Sequence, residues 1–341
     1  MKNSTTIFVA GGTAGHVFAA NGMAYFSKTR NIIITDARGR KYVDEELFDE
    51  IHILSVTNKI FTNFFGFIKS FFQSWKFINR KDNSVIVGFG AYVSIPPCLI
   101  GWLKNKHVYL YQSDQIMGRA NKLLSFFSKK IFTSSFNINH KKAECIGLIP
   151  RSNIISYPLD FNDELRILIL GGSLSSTFWK IVIPAALNSL PKEILSKIKI
   201  HQQVGEDYDY FCKVYQNIPI KHAKLDKFID TATALPWSNL VISRAGMGTI
   251  ADLTASLRPA LVVPWANAKD DHQTYNAQWW ASSLGGWYVS EQQFTPEFLQ
   301  NFIINIFNSN ELKEKAKNLT RWMPIHGGLM GLKFIDKYSK R

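Results

Sequence analysis

The chain has 341 residues, of which 46% are hydrophobic and 19% charged, so it is long enough for about two globular domains. This composition excludes a fibrous or intrinsically disordered protein. The excess of 40 Lys and Arg over 26 Asp and Glu gives a net charge of +14, which favours an acidic partner: a nucleic acid, an anionic lipid surface or a phosphorylated substrate.

The sequence carries no recognisable export or membrane-spanning signal. Met1 leads straight into the strand-like residues 6–10, without the basic start and apolar stretch of a signal peptide. The longest uncharged apolar run, residues 92–103, contains two prolines and is shorter than the roughly 20 residues that span a bilayer. Cys98, Cys145 and Cys212 have neither metal-site nor disulfide spacing, which indicates a reducing compartment. We expect a protein that is soluble or lies on a membrane surface.

Short β-branched runs alternate with longer helical stretches along the chain. The predicted strands are residues 7–10, 32–35, 84–87, 107–110, 166–170, 199–203, 240–243 and 259–263. Continuously apolar strands separated by helix-length segments are typical of parallel sheets that are covered by helices on both faces. The sequence therefore predicts the doubly wound α/β class.

Two segments about 160 residues apart resemble each other. Residues 7–13 (IFVAGGT) and residues 167–173 (ILILGGS) are both apolar strands that end in two glycines and a hydroxyl residue. Two such first-strand signatures imply two Rossmann-like units. We predict an N-terminal domain over residues 1–158, a C-terminal domain over residues 159–322, and a last helix within residues 323–341 that packs back on the N-terminal domain.

The turn after the first strand is rich in glycine and ends in a histidine. It reads Gly11, Gly12, Thr13, Ala14, Gly15 and His16. Glycines allow close approach of a ligand, and the following helix start offers N–H groups to an anion. The turn lacks the Lys of a Walker P-loop and is not a strict G-x-G-x-x-G, although Asp36 follows the next strand at about the dinucleotide spacing. A helix start disfavours imidazolium, so His16 is a candidate proton acceptor; a loop histidine without chemistry is the alternative.

A second glycine turn follows the predicted strand 240–243. After Ser243 the chain bends at Gly246 and Gly248, and a helix begins. A diphosphate would lie on the N–H groups of that helix start, and Asp252 would accept both hydroxyls of a ribose. In the alternative interpretation, Asp252 only favours the helix N-terminus.

A polar group lies just after the strand that ends at Val263. His272, Gln273 and Asn276 combine donors and acceptors in the way that recognition of sugar hydroxyls requires. A solvated helix start is the alternative.

In this order and spacing, the motifs resemble the MurG family of UDP-N-acetylglucosamine transferases (glycosyltransferase family 28) over most of the chain. The turn at residues 11–16 is similar to the family's G-G-T-G-G-H, and residues 88–94 (GFGAYVS) are similar to its G-x-G-G-Y-V-S. Residues 171–173 match the opening of G-G-S-Q-G-A, and residues 243–252 resemble C-R-S-G-A-x-T-x-x-E. Residues 228–230 and 272–277 match segments that border the uracil and the sugar.

The resemblance implies a GT-B fold, in which two Rossmann-like domains face a cleft. It implies inverting transfer of N-acetylglucosamine from UDP-N-acetylglucosamine to the 4-hydroxyl of a polyprenyl-pyrophosphate-linked N-acetylmuramoyl peptide in peptidoglycan synthesis, at the cytoplasmic face of the plasma membrane. His16 would be the general base, and the helix start near Gly248 would stabilise the UDP leaving group in place of a metal. No cofactor is required in this interpretation, and dependence on a divalent ion stays open.

The resemblance also implies a set of substrate-binding residues. They are Thr13, Ala14, Gly15, Asp114, Asn121, Ser173, Ile229, Arg244, Gly246, Met247, Gly248, Thr249, Ile250, Ala251, Asp252, His272, Gln273 and Asn276.

Two segments depart from the family pattern. The family's H-E-Q-N appears as residues 111–114 (YQSD), which lose the acid. Its N-P-V-R appears as residues 157–160 (YPLD), where Asp160 replaces an arginine that contacts the donor. A charge reversal near a diphosphate would cost on the order of 1 kcal/mol or more of binding free energy.

The aromatic segment 61–78 carries two apolar stripes at helical spacing. The first contains Phe61, Phe64, Phe65, Ile68, Phe72 and Trp75. The second contains Phe67, Phe71 and Ile78. The cations around them are Lys59, Lys69, Lys76, Arg80 and Lys81. Because one stripe suffices for packing on a sheet, we predict that the surplus stripe, with Phe67 and Phe71, dips into an anionic bilayer; a fully buried helix is the alternative.

Three other functions stay open at this point. One is a different GT-B enzyme, such as a glycolipid synthase or a UDP-sugar epimerase, and another is a UDP-sugar-binding protein with little catalysis. The third is a dinucleotide oxidoreductase, which would use Asp36 and leave the second glycine turn without a role. We expect no nucleic-acid partner.

Overall fold

The computed structural model describes residues 4–56, 64–160, 163–171, 176–220, 222–322 and 326–339. The chain divides into two compact units. Unit 1 comprises Met1–Ser152 and Ile325–Arg341, and unit 2 comprises Asn153–Pro324. Each unit has its own parallel sheet and its own hydrophobic core.

Unit 1 is built on a seven-stranded parallel sheet. Its strands are β1 (Thr5–Val9), β2 (Arg30–Asp36), β3 (Glu50–Leu54), β4 (Ser84–Gly88), β5 (His107–Gln112), β6 (Lys130–Thr133) and β7 (Ala143–Cys145). Its first helices are α1 (Ala14–Ala24), α2 (Phe64–Phe77), α3 (Ile95–Leu103) and α4 (Arg119–Leu124). The strand order is β3-β2-β1-β4-β5-β6-β7, so the direction of winding reverses between β1 and β4.

Unit 2 repeats this design with six parallel strands. They are β8 (Leu165–Leu170), β9 (Ile198–Gln203), β10 (His222–Asp226), β11 (Leu240–Ser243), β12 (Ala260–Val262) and β13 (Gly286–Tyr288). The helices are α5 (Ser176–Asn188), α6 (Lys192–Leu195), α7 (Tyr208–Tyr215), α8 (Thr231–Trp237), α9 (Met247–Ser256), α10 (His272–Ser283), α11 (Pro296–Asn308) and α12 (Glu311–Leu319). The order is β10-β9-β8-β11-β12-β13, and the winding reverses between β8 and β11.

The central strands are buried on both faces. Successive residues of β1 alternate between the two cores of unit 1: Phe8 packs in one, and Ile7 and Val9 pack in the other. This two-sided burial is the reason that the central strands read as continuous apolar runs, and it confirms the predicted doubly wound class.

All eight predicted strands are present, but five further strands escaped prediction. Four of them, β3, β7, β10 and β13, are the edge strands of the two sheets, and the fifth, β6, is only four residues long. An edge strand is paired on one side and half exposed, so it need not be apolar. The exposed and polar sequence of β10, HAKLD, illustrates this.

The division between the units lies at Ser152 and Asn153, earlier than the boundary that we predicted after residue 158. The physical reason is Arg258, a buried residue of unit 2. Its guanidinium donates to the carbonyl oxygens of Tyr157, at 2.9 Å, and Pro158, at 3.5 Å, and its Nε donates to Leu235. These bonds fasten the segment just before β8 to unit 2.

The chain returns to unit 1 in its last helix, α13 (Gly327–Ser339). The N–H of Gly327 donates to the carbonyl of Leu148 at 3.0 Å, and Ile335 joins Met23 of α1 in one core. A Cβ on Gly328 would lie 2.8 Å from the carbonyl oxygen of Gly22. The lack of a side chain at this position therefore permits the close packing of α13 on α1.

Our prediction of which apolar stripe of α2 is exposed is wrong, because the structure buries the predicted membrane stripe and exposes the other one. Phe67 and Phe71 pack against the core of unit 1, and Ile78 is buried there. The larger stripe is the exposed one, with Phe65 at 86% and Phe72 at 73% exposure. Phe61 and Lys59 lie outside the described residues. Within the described parts of the chain, no helix is long and apolar enough to cross a bilayer.

Candidate functional site

In unit 1, the predicted glycine turn lies at the carboxyl end of β1, where the winding of the sheet reverses. Asp36, buried at the end of β2, holds this turn in shape. Its Oδ1 accepts from the N–H of Gly12 and from that of Gly39, both at 2.9 Å, and its Oδ2 accepts from the Tyr92 hydroxyl at 2.5 Å. Burial and this hydrogen bond raise the pKa of Tyr92. Because three donors already surround the carboxylate, Asp36 is poorly placed to bind a dinucleotide ribose.

His16 lies in the first turn of α1, and its ring is oriented by the backbone. Its Nδ1 lies 3.2 Å from the carbonyl oxygen of Gly11 and 3.0 Å from the Thr13 hydroxyl. A carbonyl oxygen only accepts, so a hydrogen bond from Nδ1 to Gly11 requires the tautomer with its proton on Nδ1, and that tautomer has its lone pair on Nε2. A Cβ on Gly90 would lie 3.6 Å from that Nε2 and 3.5 Å from Nδ2 of Asn121. Nε2 of His16 therefore lies near Gly90 and the side chain of Asn121.

Asn121 is a buried residue of α4. Its Nδ2 donates to the Tyr111 carbonyl at 3.0 Å and to Oε1 of Gln112 at 2.9 Å. Its Oδ1 has no hydrogen-bond partner among the residues that the structure describes. A buried acceptor without a donor is costly in a folded protein, so a substrate hydroxyl or a water is expected at this atom.

The departures at residues 111–114 have structural roles. Tyr111 is buried, packs against Phe89, and donates to the Gly147 carbonyl at 3.4 Å; burial raises its pKa. Gln112 organises the following loop, because its Nε2 donates to the carbonyls of Asp114, at 3.2 Å, and Ile116, at 2.8 Å. Asp114 itself is half-buried.

In unit 2, the second predicted turn lies at the corresponding place, the carboxyl end of β11 beside β8. Gly246 is the N-cap residue of α9, and it has no side chain with which to cap this helix start. Among the described residues, a Cβ on Gly246 would meet no atom within 4 Å. The first N–H groups of a helix have no acceptor within the helix, so this start presents donors to open space. The turn of unit 1 is similar, since the Thr13 side chain does not cap α1 and a Cβ on Gly15 would meet no atom of the described residues within 4 Å.

The other residues predicted in this region differ in accessibility. Gly248 and Thr249 are partly exposed in the first turn of α9, whereas the side chains of Met247, Ile250 and Ala251 are buried. Of these three, only the backbone can therefore contact a ligand. Ile229 is also buried, and its N–H donates to Oε1 of Gln203 at 3.4 Å.

Asp252 is 2% exposed in the structure. It lies on the second turn of α9, after Gly248 and Thr249. A ribose would reach its carboxylate only if nearby atoms move. Asp252 is therefore enclosed in this structure, as is Asn276 at 0% exposure.

Arg244, the first residue after β11, is enclosed by several groups. Its Nη2 lies 2.6 Å from Oε1 of Glu291, its Nη1 donates to the Val263 carbonyl at 3.3 Å, and its guanidinium lies over the ring of Trp179 at 5.2 Å. Burial lowers the pKa of Arg244, and the Glu291 carboxylate opposes that shift. Arg244 thus connects the ends of several strands rather than extending into solvent.

The predicted sugar-recognition segment lies beside this turn at the start of α10. Asn276 is buried, and its Nδ2 donates to the carbonyl of Ala245 at 3.2 Å. Gln273 accepts from the N–H of Trp265 at 2.9 Å through Oε1. His272, the first residue of α10, is half-buried. The structure therefore joins Asn276 to the turn that contains Arg244 and Gly246, and Gln273 to the loop after β12, whereas Ser173 lies outside the described residues.

Asp160, by contrast, lies at the amino edge of the unit 2 sheet, opposite the edge that carries the glycine turn. Its carbonyl accepts from the side chains of Asn239, just before β11, and Arg166, at the start of β8. The four residues of β11 separate this edge from the glycine turn by roughly 13 Å. The carboxylate is also 63% exposed, so salt screens it over about 8–10 Å.

We therefore expect Asp160→Arg to leave the affinity for UDP unchanged, although it restores the residue type of the family motif. Titration calorimetry of the wild type and the variant at about 0.15 M salt measures this, because long-range charge effects are damped there. An increase in affinity on the substitution would show that residue 160 acts on the nucleotide after all.

Sequence reasoning missed Glu291 and Trp179, which surround Arg244, and Gln115. Gln115 is buried and joins Ser134, Ser135 and Asn137 by hydrogen bonds after β6. No local motif marks these residues, because their importance arises from contacts between separate strand ends. Among the described residues, no group of three His, Cys, Asp or Glu side chains could hold a metal ion.

Each unit therefore has a doubly wound sheet with a helix start at its switch point, which defines a protein of two Rossmann-like domains. Residues 6–133 match the glycosyltransferase family 28 N-terminal domain, and residues 166–323 match the family's C-terminal domain. The chain belongs to glycosyltransferase family 28.

Curated relatives of the chain are UDP-N-acetylglucosamine--N-acetylmuramyl-(pentapeptide) pyrophosphoryl-undecaprenol N-acetylglucosamine transferases. The protein of that name from Granulibacter bethesdensis is 31% identical, over 92% of this chain and 88% of its own length. The one from Rickettsia prowazekii is 30% identical, over 91% of this chain and 92% of its own length.

Solved structures share the fold. Acinetobacter baumannii MurG has a TM-score of 0.79 at 24% identity, with 98% of this chain and 99% of that one covered. The UDP-GlcNAc 2-epimerase from Neisseria meningitidis, bound to UDP-GlcNAc, has a TM-score of 0.66 at 11% identity, with both chains covered fully. These likenesses confirm the predicted GT-B fold class.

Proposed function

We propose that the chain transfers N-acetylglucosamine from UDP-N-acetylglucosamine to the 4-hydroxyl of a polyprenyl-pyrophosphate-linked N-acetylmuramoyl peptide. Membership of family 28 and the curated relatives support this activity. The observation in the structure that carries it is the pair of uncapped helix starts, with His16 beside the first and Arg244 beside the second.

In the proposed reaction, Nε2 of His16 takes the proton of the acceptor hydroxyl as its oxygen attacks the anomeric carbon. The bond from that carbon to the UDP oxygen breaks, and the configuration inverts. The N–H groups at the start of α9 then stabilise the charge that develops on the diphosphate. This arrangement uses no cofactor, and activity after dialysis against EDTA tests for a required divalent ion.

The deciding experiment is a transfer assay with radiolabelled UDP-N-acetylglucosamine and a lipid acceptor extracted from membranes. We expect label in the lipid fraction and stoichiometric release of UDP. Mass analysis of the products separates this reaction from that of another GT-B enzyme or an epimerase. Binding of UDP without any turnover would support the sugar-binding alternative, and binding of NAD(H) but not UDP would support an oxidoreductase.

We propose further that unit 1 lies on an anionic membrane surface through the exposed face of α2, at the cytoplasmic side of the plasma membrane, and that it binds no nucleic acid. Phe65 and Phe72 point outward there, and Lys69 and Lys76 are exposed on the same helix. An apolar stripe with flanking cations is the pattern of an interfacial helix.

Neighbouring elements enlarge this apolar surface. The helix α3 packs on α2 and contributes exposed Trp102 and Leu103. The ring of Trp102 contacts Phe127 at 4.9 Å, and the adjacent Phe126 is strongly exposed. Exposed apolar groups that continue from one element to the next are typical of a contact surface, whereas scattered single residues are not.

We expect Phe65→Ser to weaken binding to vesicles that contain phosphatidylglycerol about 5-fold, because one large apolar side chain no longer enters the lipid. Co-sedimentation with vesicles measures this, and the thermal stability should not change. The matched variant is Phe67→Ser on the same helix, which packs on the core and should lower the melting temperature instead. Equal vesicle binding by the wild type and Phe65→Ser would contradict the proposed membrane face.

A further inference from the structure

Glu291 occupies a central place at the carboxyl edge of the unit 2 sheet, although it lies outside every predicted motif. It follows β13, and its carboxylate joins two other segments. Oε1 lies 2.6 Å from Nη2 of Arg244, and Oε2 accepts from the N–H of Ala266 at 3.2 Å. One carboxylate therefore links the turn after β11, the loop after β12 and its own loop.

The segments that Glu291 joins are the ones that carry the proposed donor site. Arg244 lies two residues before Gly246, the N-cap residue of α9. The free N–H groups of the helix start follow directly after Gly246. Trp265, next to Ala266, donates its N–H to Gln273 at 2.9 Å. Asn276 donates to Ala245 at 3.2 Å, so the loop, α10 and the glycine turn are bonded to one another.

The ion pair has little contact with solvent. The side chains of Arg244 and Glu291 are 13% and 19% exposed, so bulk water and salt weaken their attraction less than at the surface. If the carboxylate is lost, Arg244 keeps its charge in a half-enclosed site without its anionic partner. Arg244 and the turn that follows it would then move toward other partners.

We propose that Glu291 is a positioning residue for the nucleotide part of the donor. Through its bonds to Arg244 and Ala266, it holds the backbone of the glycine turn in the conformation that binds the diphosphate. This inference rests on the proposed function. It assigns to Glu291 no contact with the substrate, only control over the backbone that makes the contact.

The test compares Glu291→Gln, Arg244→Lys and the double variant by calorimetry with UDP and by steady-state transfer kinetics. We expect Glu291→Gln to raise the Kd for UDP about 10-fold, near the effect of one charged hydrogen bond, since an amide supplies one acceptor where the carboxylate supplies two. The donor KM should rise similarly, with kcat at saturating donor little changed. The double variant should bind no more weakly than the weaker single variant, because both substitutions break one network.

The control is Glu164→Gln, which breaks the 2.8 Å ion pair with Lys199 at the amino edge of the same sheet. It should leave the Kd for UDP unchanged. Unchanged affinity in folded Glu291→Gln, or additive losses in the double variant, would overturn the inference while the proposed function stands. Failure of the wild type to bind UDP would overturn the proposed function itself. If Glu291→Gln does not fold, Glu291→Asp replaces it: a smaller rise in Kd is expected, and no rise overturns the inference.

Discussion

Substitution of His16 by Ala is expected to lower kcat of the transfer reaction about 10²–10⁴-fold, the usual contribution of a positioned general base. The affinity for UDP should remain that of the wild type, because His16 belongs to unit 1 and the proposed nucleotide site belongs to unit 2. In the tautomer whose Nδ1 donates to the Gly11 carbonyl, Nε2 is the proposed proton acceptor, and the substitution removes that atom. Steady-state kinetics together with UDP calorimetry separate the two effects.

A second variant distinguishes base catalysis from support of the turn. His16→Asn supplies an amide N–H near the position of Nδ1 but has no basic nitrogen. We expect its turnover to be as low as that of His16→Ala. Recovery of activity in His16→Asn would instead assign His16 the role of holding the turn at Gly11. Replacement of the exposed His222 by Ala provides the control and should change neither quantity.

Substitution of Gly246 by Val is expected to weaken UDP binding on the order of 100-fold, because the branched side chain would occupy the space where the diphosphate meets the helix start. The fold should tolerate the change. Gly246 has φ −76° and ψ 135°, which any residue adopts, and a Cβ there meets no atom of the described parts of the chain within 4 Å. Calorimetry with UDP and thermal unfolding measure the two outcomes.

The comparison for this variant is Ala223→Val, which adds apolar bulk at an exposed position of β10 in the same unit. It should leave the affinity for UDP unaltered. A folded Gly246→Val protein that binds UDP as tightly as the wild type would remove the start of α9 from the nucleotide site. An intermediate loss in Gly246→Ala would support a steric cause.

Several parts of this architecture follow from local sequence. The apolar runs of β1 and β8, each ended by glycines, predicted two Rossmann-like units. The Ser243–Gly246 stretch predicted the turn before α9, and the fold bears out both predictions. Such features depend on a few neighbouring residues, because strand burial and turn geometry are encoded at short range.

Other predictions failed because they required knowledge of what packs against each element. The two stripes of α2 have equivalent periodicity, and only the contact with the core shows that Phe67 faces inward while Phe65 faces outward. Order along the chain likewise did not show that Asp160 lies at the amino edge of the unit 2 sheet. Periodicity gives the faces of a helix and does not say which of them meets a neighbour.

The sequence by itself determined the class of the protein, its two glycine turns and its candidate base, since these depend on residue type and short spacing. Only the tertiary structure showed that Asp36 hydrogen-bonds to the first turn and that Glu291 forms an ion pair with Arg244 at the second. It also showed that Arg258 hydrogen-bonds the linking segment to unit 2. Each of these three side chains bonds to groups that are distant in the chain. Such contacts form when folding brings strand ends and loops together, and no local pattern encodes them.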